Sequence, residues 1–259
     1  MKQNFLISIS LLIFQLTFGQ SADELNQQSK ELVQKGNYNE AFPILKKSAE
    51  LGDAEAQYNL GYFLQNGTAG VKNEQEAVEW YKKSSDKGFN DGHYAMMMAY
   101  GNGQGVEQNS EKAFEYALKC ANNDDSTCMW NVVNCYLTGN GVKTDVSKFK
   151  EWIVRLAKLP NPENLALSGN ITSARLEIAK FYKTGKYFEQ DNYRSYQWYL
   201  IYNESKVDFS ILKQEEAIKE IKELEEYLSK QQKENASKEA ERLLGRKLNK
   251  LKELYKNSL

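Results

Sequence analysis

Apolar residues recur along this chain in short amphipathic phrases whose aromatic anchor returns at a nearly constant distance. Trp80, Tyr116, Trp152 and Trp198 stand 36, 36 and 46 residues apart, inside AVEWYKKS, AFEYALKC, FKEWIVRL and SYQWYLIY. A second phrase keeps the same step: Tyr58, Tyr94, Trp130 and Leu176 each begin a stretch that reaches glycine nine residues later, at Gly67, Gly103, Gly139 and Gly185. Three of these glycines open loops that close in Gly70-Val71, Gly105-Val106 and Gly141-Val142. A period in the mid-thirties filled by two helical phrases and a glycine turn marks a stacked array of helical hairpins.

In the first full copy the spacing predicts a helix A over residues 53–65 and a helix B over 73–87. Ala56, Leu60, Phe63 and Leu64, then Ala77, Trp80 and Tyr81, fall three and four residues apart, so each helix has one stripe to bury. Neither helix can bury it alone. Gly61 is expected to let the two backbones approach, and Gly67 and Gly70 to supply turns that a Cβ resists.

These phrases resemble the Sel1-like repeat, a relative of the tetratricopeptide repeat with a slightly longer period. AQYNLGYFLQNGTAGVKNEQEAVEWYKKSSDKG carries nearly the whole family pattern, A-x-x-x-L-G-x-x-Y-x-x-G-x-G-V followed by a K-A-x-x-W-Y helix. The second copy exchanges Leu-Gly for Met96-Met97 but keeps Tyr100, Gly103, Gly105 and Ala113, and the third keeps Tyr136, Gly139, Gly141 and Trp152. The fourth lacks the Gly-Val ending and follows a ten-residue insertion, PNPENLALSG. Upstream, NYNEAFPILKKSAELGD matches helix B by the same step, with Ala41 opposite Ala77 and Gly52 opposite Gly88. The resemblance implies an all-α, right-handed superhelical solenoid, with copies near 54–89, 90–125, 126–161 and 172–206 and a partial copy at 22–53.

The amino terminus changes the compartment. Lys2 precedes an apolar run over residues 5–18, and Thr17-Phe18-Gly19 offers a peptidase site before Gln20, so residues 1–19 read as a bacterial-type signal peptide. The run is too short to span a bilayer comfortably, and no cysteine for acylation lies beside the cleavage point. A periplasmic or secreted protein is expected, without membrane insertion after cleavage. The formal net charge of −1 comes with no basic stripe, which argues against a nucleic-acid partner.

Export gives the three cysteines weight. Cys120 and Cys128 enclose seven residues, ANNDDST, and this C-x7-C pair matches a cysteine-rich secreted branch of the resembled family, in which such pairs staple one helix to the next. Their equivalents, Ser48 and Ala56, then Ser84 and Gly92, are all small, so the two side chains are expected to face each other. Cys135 then reads as a buried small hydrophobe.

No catalytic constellation emerges. A single histidine, His93, expected at the exposed start of a helix, cannot supply a His-rich metal site, and zinc spacing is absent. Ser84-Ser85-Asp86-Lys87 contains S-x-x-K, but the S-D-N and K-T-G partners of penicillin-interacting serine enzymes are missing, so it reads as the polar end of a helix. No cofactor is expected.

What remains is surface. In superhelices of this kind the A helices line the concave face, and the positions outside their core stripe are Asn59 and Tyr62, Ala95 and Met98, Asn131 and Asn134, Glu177 and Lys180. Asparagine can hydrogen-bond an extended peptide, and Tyr62 and Met98 can add apolar contact. Partial burial as packing residues is the competing reading. Beyond residue 206 the chain becomes rich in Glu and Lys, with Ile218, Ile221, Leu224 and Leu228, then Ala240, Leu244, Leu248, Leu251 and Tyr255, at helical spacing. Residues 229–235 are expected to split it into two helices that cap the last repeat, with a coiled-coil dimer as the alternative.

The function that follows is a non-enzymatic scaffold for a protein or peptide, monomeric, in envelope assembly, signalling or effector immunity. A penicillin-binding or peptidoglycan-active enzyme, an activity attributed to some cysteine-rich relatives, is the alternative. Mass spectrometry of the protein recovered from the periplasm should find an amino terminus within two residues of Gln20; an intact Met1 in the membrane fraction would make the segment an anchor.

Overall fold

A computed structural model describes residues 20–161, 169–205 and 211–250. The signal peptide, most of the PNPENLALSG insertion, and Leu251 and Tyr255 lie outside the described residues. Within them are twelve α-helices and no strand: α1 (Ala22–Gln34), α2 (Tyr38–Leu51), α3 (Ala54–Asn66), α4 (Glu74–Asp86), α5 (Asn90–Asn102), α6 (Ser110–Asn122), α7 (Ser126–Thr138), α8 (Val146–Lys158), α9 (Gly169–Thr184), α10 (Asn192–Ser205), α11 (Ile211–Glu225) and α12 (Lys230–Leu244).

Helix ends follow the expected chemistry. Asp53 caps α3 by accepting from the Ala56 amide at 2.6 Å, and Asn73 caps α4 by accepting from the Glu76 amide at 3.2 Å. Gly67, Gly103 and Gly139 end α3, α5 and α7 in the left-handed region, where a Cβ would be strained. α1 starts with a signal the periodicity did not use, a capping box between Ser21 and Glu24.

The chain divides into two compact units, 1–119 and 120–259. In the first, α1 packs on α2, α2 on α3, α3 on α4 and α4 on α5, around Leu25, Leu45, Leu60, Leu64, Trp80, Tyr81 and Met96. Gly61 makes room chiefly for a side chain rather than a backbone, because a Cβ there would lie 2.6 Å from the Tyr81 ring. The hydroxyls of Ser48 and Ser84, one period apart, donate to the first-turn carbonyls of Ala22 and Ala54, each at 2.6 Å, tying each B helix to the start of its own A helix. Gly92 then meets the end of α4 so closely that a Cβ would lie 2.7 Å from the Ser85 amide nitrogen.

In the second unit Cys120 and Cys128, the next members of the Ser84 and Gly92 series, are joined by a disulfide with Cα atoms 5.7 Å apart. Closing so short a loop stabilises by roughly 2.5 kcal/mol on the chain-entropy estimate. α7 packs on α8, α8 on α9 and α9 on α10, and both α11 and α12 pack on α10. The latter two bury Ala217, Ile221, Leu224 and Leu228, then Ala236 and Ala240.

The expected break at 229–235 is misplaced. Ser229 forms a capping box with Gln232, so α12 begins at Lys230, and Gly245 ends it in the left-handed region. Leu248 therefore falls beyond α12, and the apolar series that ran from Ala240 onward is interrupted.

Two charges are buried here. Arg175, 1% exposed, donates to the carbonyls of Ala157 and Leu159 at 2.8 Å and to Asn161, so it closes the carboxyl end of α8. Burial, and then the charge of Arg246, lowers its pKa to about 10, still cationic at neutral pH. Glu204 is held by Arg246 at 2.9 Å and by the Lys250 amide.

Trp80, Tyr116, Trp152 and Trp198 are each 7–9% exposed. Lys83, Lys119 and Arg155, three residues further on, lie 3.6, 4.6 and 4.8 Å from the centroids of the first three rings. Trp80→Ala or Trp152→Ala should cost roughly 3–5 kcal/mol in denaturant unfolding; a loss below about 1 kcal/mol would mean these rings fill no layer.

Candidate protein-binding face

Asn59 and Tyr62 lie on α3, Ala95 and Met98 on α5, Asn131 and Asn134 on α7, and Glu177 and Lys180 on α9. The first member of each pair is half-buried, and the second is exposed, Tyr62 by 51% and Met98 by 38%. The two readings of these positions thus divide by position along the helix. Asn131 donates its amide to the Thr127 carbonyl at 2.9 Å, so that N–H is spent on its own helix.

Two cavities gather some of these residues. One, of about 500 Å³, lies among α1, α2 and α3 and brings Asn59 and Tyr62 together with Val33, Tyr38, Leu45 and Phe63. Its polar wall includes Lys30 and Glu55, paired at 2.8 Å. The other, of about 450 Å³, lies among α9, α10 and α11 and joins Glu177 and Lys180, themselves 3.5 Å apart, to Tyr199, Tyr202, Glu216 and Glu220. Met98, Asn131 and Asn134 line neither cavity. Sequence reasoning missed Val33 and Tyr38 because it placed no helix A before residue 53, and missed Glu216 and Glu220 because it did not locate the docking of α11.

The polar groups that suggested chemistry are engaged structurally. Ser84 is fully buried with its hydroxyl on Ala54, while the Lys87 ammonium donates to the Gly52 carbonyl at 2.6 Å, so S-x-x-K assembles no serine–lysine pair. His93 is not at an exposed helix start. It is 7% exposed, with Nδ1 2.6 Å from the Ser85 hydroxyl, because Gly92 draws the first turn of α5 against the end of α4. Cys135 is half-buried rather than buried, and that burial raises its thiol pKa, away from a reactive thiolate. Cys120, Asp125 and Cys128 place three potential metal ligands within 4.8 Å of one another, but the two sulfurs are bonded to each other.

Tandem helical hairpins built on glycine turns and aromatic B-helix anchors define an all-α helical-repeat solenoid. The chain belongs to the Sel1 repeat family, whose model matches residues 25–53, 54–89, 92–125, 128–158 and 172–201. No curated protein matches it. Among solved structures, a Sel1 repeat protein from Oxalobacter formigenes is similar in fold, with a TM-score of 0.60 and 19% identity over 76% of this chain and 84% of that one. A protective antigen of uropathogenic Escherichia coli with an SLR fold has a TM-score of 0.43 and 21% identity, over 90% of this chain and 55% of its own. An immunity protein of Pseudomonas aeruginosa has a TM-score of 0.41 and 15% identity, over 92% and 88%.

The histidine gives a pH test. Burial, and then Lys119, lowers the folded pKa of His93 against a smaller opposing pull from Asp86. The unfolded chain therefore takes up this proton first, near pH 6.5, and stability falls as pH drops below that value. Thermal unfolding should show a lower Tm at pH 5.5 than at pH 7.5, and His93→Gln should shrink the difference; an unchanged difference would mean that His93 protonates without cost.

Proposed function

We propose that this protein is an exported, non-enzymatic scaffold that binds a protein or peptide on the face formed by its A helices. The observation that carries the reading is the cavity beside Asn59 and Tyr62, where two of the expected contact residues meet an apolar floor and an exposed aromatic rim. Its wall combines apolar and aromatic side chains with Ser29, Lys30, Gln34, Glu55, Asn59 and Thr68, a mixture that suits a peptide's backbone and side chains together. Sel1 repeats typically mediate protein interactions.

Export is supported by the Cys120–Cys128 disulfide, which fits an oxidising compartment. No helix among the described residues is long and apolar enough to cross a membrane. In this reading residues 1–19 are a cleaved signal, 20–206 form the repeats and 207–259 cap them. The packing of α11 and α12 on α10 supports a cap rather than a coiled-coil dimer.

The test is retrieval of a partner from cell extract by the wild type and by the quadruple variant Asn59→Ala, Tyr62→Ala, Asn131→Ala and Asn134→Ala. Exposed or half-exposed changes of this kind usually alter stability by only about 0.5 kcal/mol each. The variant should unfold nearly as the wild type does and retrieve the partner at least tenfold more weakly. A folded variant with unchanged retrieval would remove the A-helix face as the site.

A further inference from the structure

Asparagine stands directly before glycine at three places in this chain, Asn66-Gly67, Asn102-Gly103 and Asn140-Gly141, each in or beside the turn that joins helix A to helix B. The pair is open to one uncatalysed reaction. Because glycine has no Cβ, its backbone nitrogen is unshielded and can reach the side-chain carbonyl carbon of the asparagine before it. Two things hold that approach back: a hydrogen bond on the glycine N–H, and a helical backbone at the asparagine, which turns the nitrogen away from the side chain.

The fold separates the three pairs. Asn66 is the last residue of α3 and Asn102 the last of α5, so both have helical backbone. The Gly67 amide donates to the Phe63 carbonyl and the Gly103 amide to the Ala99 carbonyl, the bonds that end those helices. Asn66 is tied further, its side-chain amide donating to the Tyr62 carbonyl at 2.9 Å. Asn140 lies outside any helix, because α7 ends at Thr138. Here the helix-ending bond is made by Gly139, to Cys135 at 2.9 Å, so it falls one residue before the asparagine and leaves the next nitrogen out. Among the described residues neither the Asn140 side chain nor the Gly141 amide has a hydrogen-bond partner, and Asn140 is exposed. The other copies hold Thr68, Gln104 and Lys186 at this place. Only glutamine among these has an amide, and it is one methylene too far from the backbone.

We propose that Asn140 is a site of spontaneous deamidation, with water as the co-reactant. The Gly141 nitrogen attacks Cγ of Asn140, and the new C–N bond replaces the bond from Cγ to Nδ2. The glycine N–H proton passes through water to the leaving nitrogen, which departs as ammonia. Water then adds to either carbonyl of the succinimide ring and breaks one of its C–N bonds. Opening at the side-chain carbonyl leaves aspartate; opening at the backbone carbonyl leaves isoaspartate, whose main chain runs through the side-chain carbons. Both products place a carboxylate in the α7–α8 turn, and isoaspartate also lengthens it, between Gly139 at φ 81° and Gly141 at φ 72°. The third hairpin thus gains a negative charge without an enzyme.

The full chain is held in warm, mildly alkaline heavy-oxygen water, which marks each product, and sampled over time for peptide mapping by mass spectrometry. Asn140 should convert at least about tenfold faster than Asn66 or Asn102, the factor that one intact hydrogen bond imposes on the slower sites. In denaturant the three rates should draw together, since only the fold separates them. Asn140→Gln should abolish the first acidic species that appears on ion exchange. Equal rates at the three sites of the folded chain, a faster Asn66 or Asn102, a spread that persists unchanged in denaturant, or an acidic species that survives Asn140→Gln would overturn the inference.

Discussion

Close approach between successive helices at one repeated pair of positions is the constraint on which this architecture depends. A hairpin with one buried stripe per helix is stable only when the next hairpin covers it, and coverage requires backbones to meet. At Ser84 and Gly92 the contact is near enough that a Cβ on residue 92 would collide with the Ser85 amide. One period later the same two positions hold Cys120 and Cys128, and contact is replaced by a covalent bond. The disulfide is thus a substitution within a repeat series rather than an addition to it. This is why the small equivalents agree with the pairing that the C-x7-C resemblance implies.

That constraint also explains the misreading of His93. Its amphipathic position suggested an exposed first turn, but glycine at residue 92 draws that turn against α4, and the imidazole is enclosed with Ser85. Local polarity predicts exposure only when no neighbour arrives. The α11–α12 boundary was misplaced for the opposite reason: the polar run over residues 229–235 was read as the break, and the purely local Ser229–Gln232 capping box that starts α12 was not read. Helix caps, glycine turns and aromatic anchors were legible because each acts within one turn of the chain. The cations over Trp80, Tyr116 and Trp152 were equally legible at a three-residue spacing and were not read.

The candidate site was half visible for a related reason. Asn59 and Tyr62 follow from the 36-residue step, so repeat arithmetic found them. Val33 belongs to a helix displaced by the shorter turn at residues 35–37, where the same arithmetic points to the wrong residues. Register in a hairpin array is set by contacts between helices, and here two serine hydroxyls reveal it where the sequence step does not.

Repeats that share a backbone need not share a filling, and this is where such a fold acquires specificity. Interiors are packed to near crystal density, so a layer lacking a large side chain must collapse, admit water or admit a ligand. Tyr81 over Gly61 shows a layer closed from within by a ring. In the first hairpin Leu45 and Ser29 hold those places, each 1% exposed, so smaller side chains close that layer as well. One backbone register thus accepts either tyrosine over glycine or leucine beside serine without opening the interior.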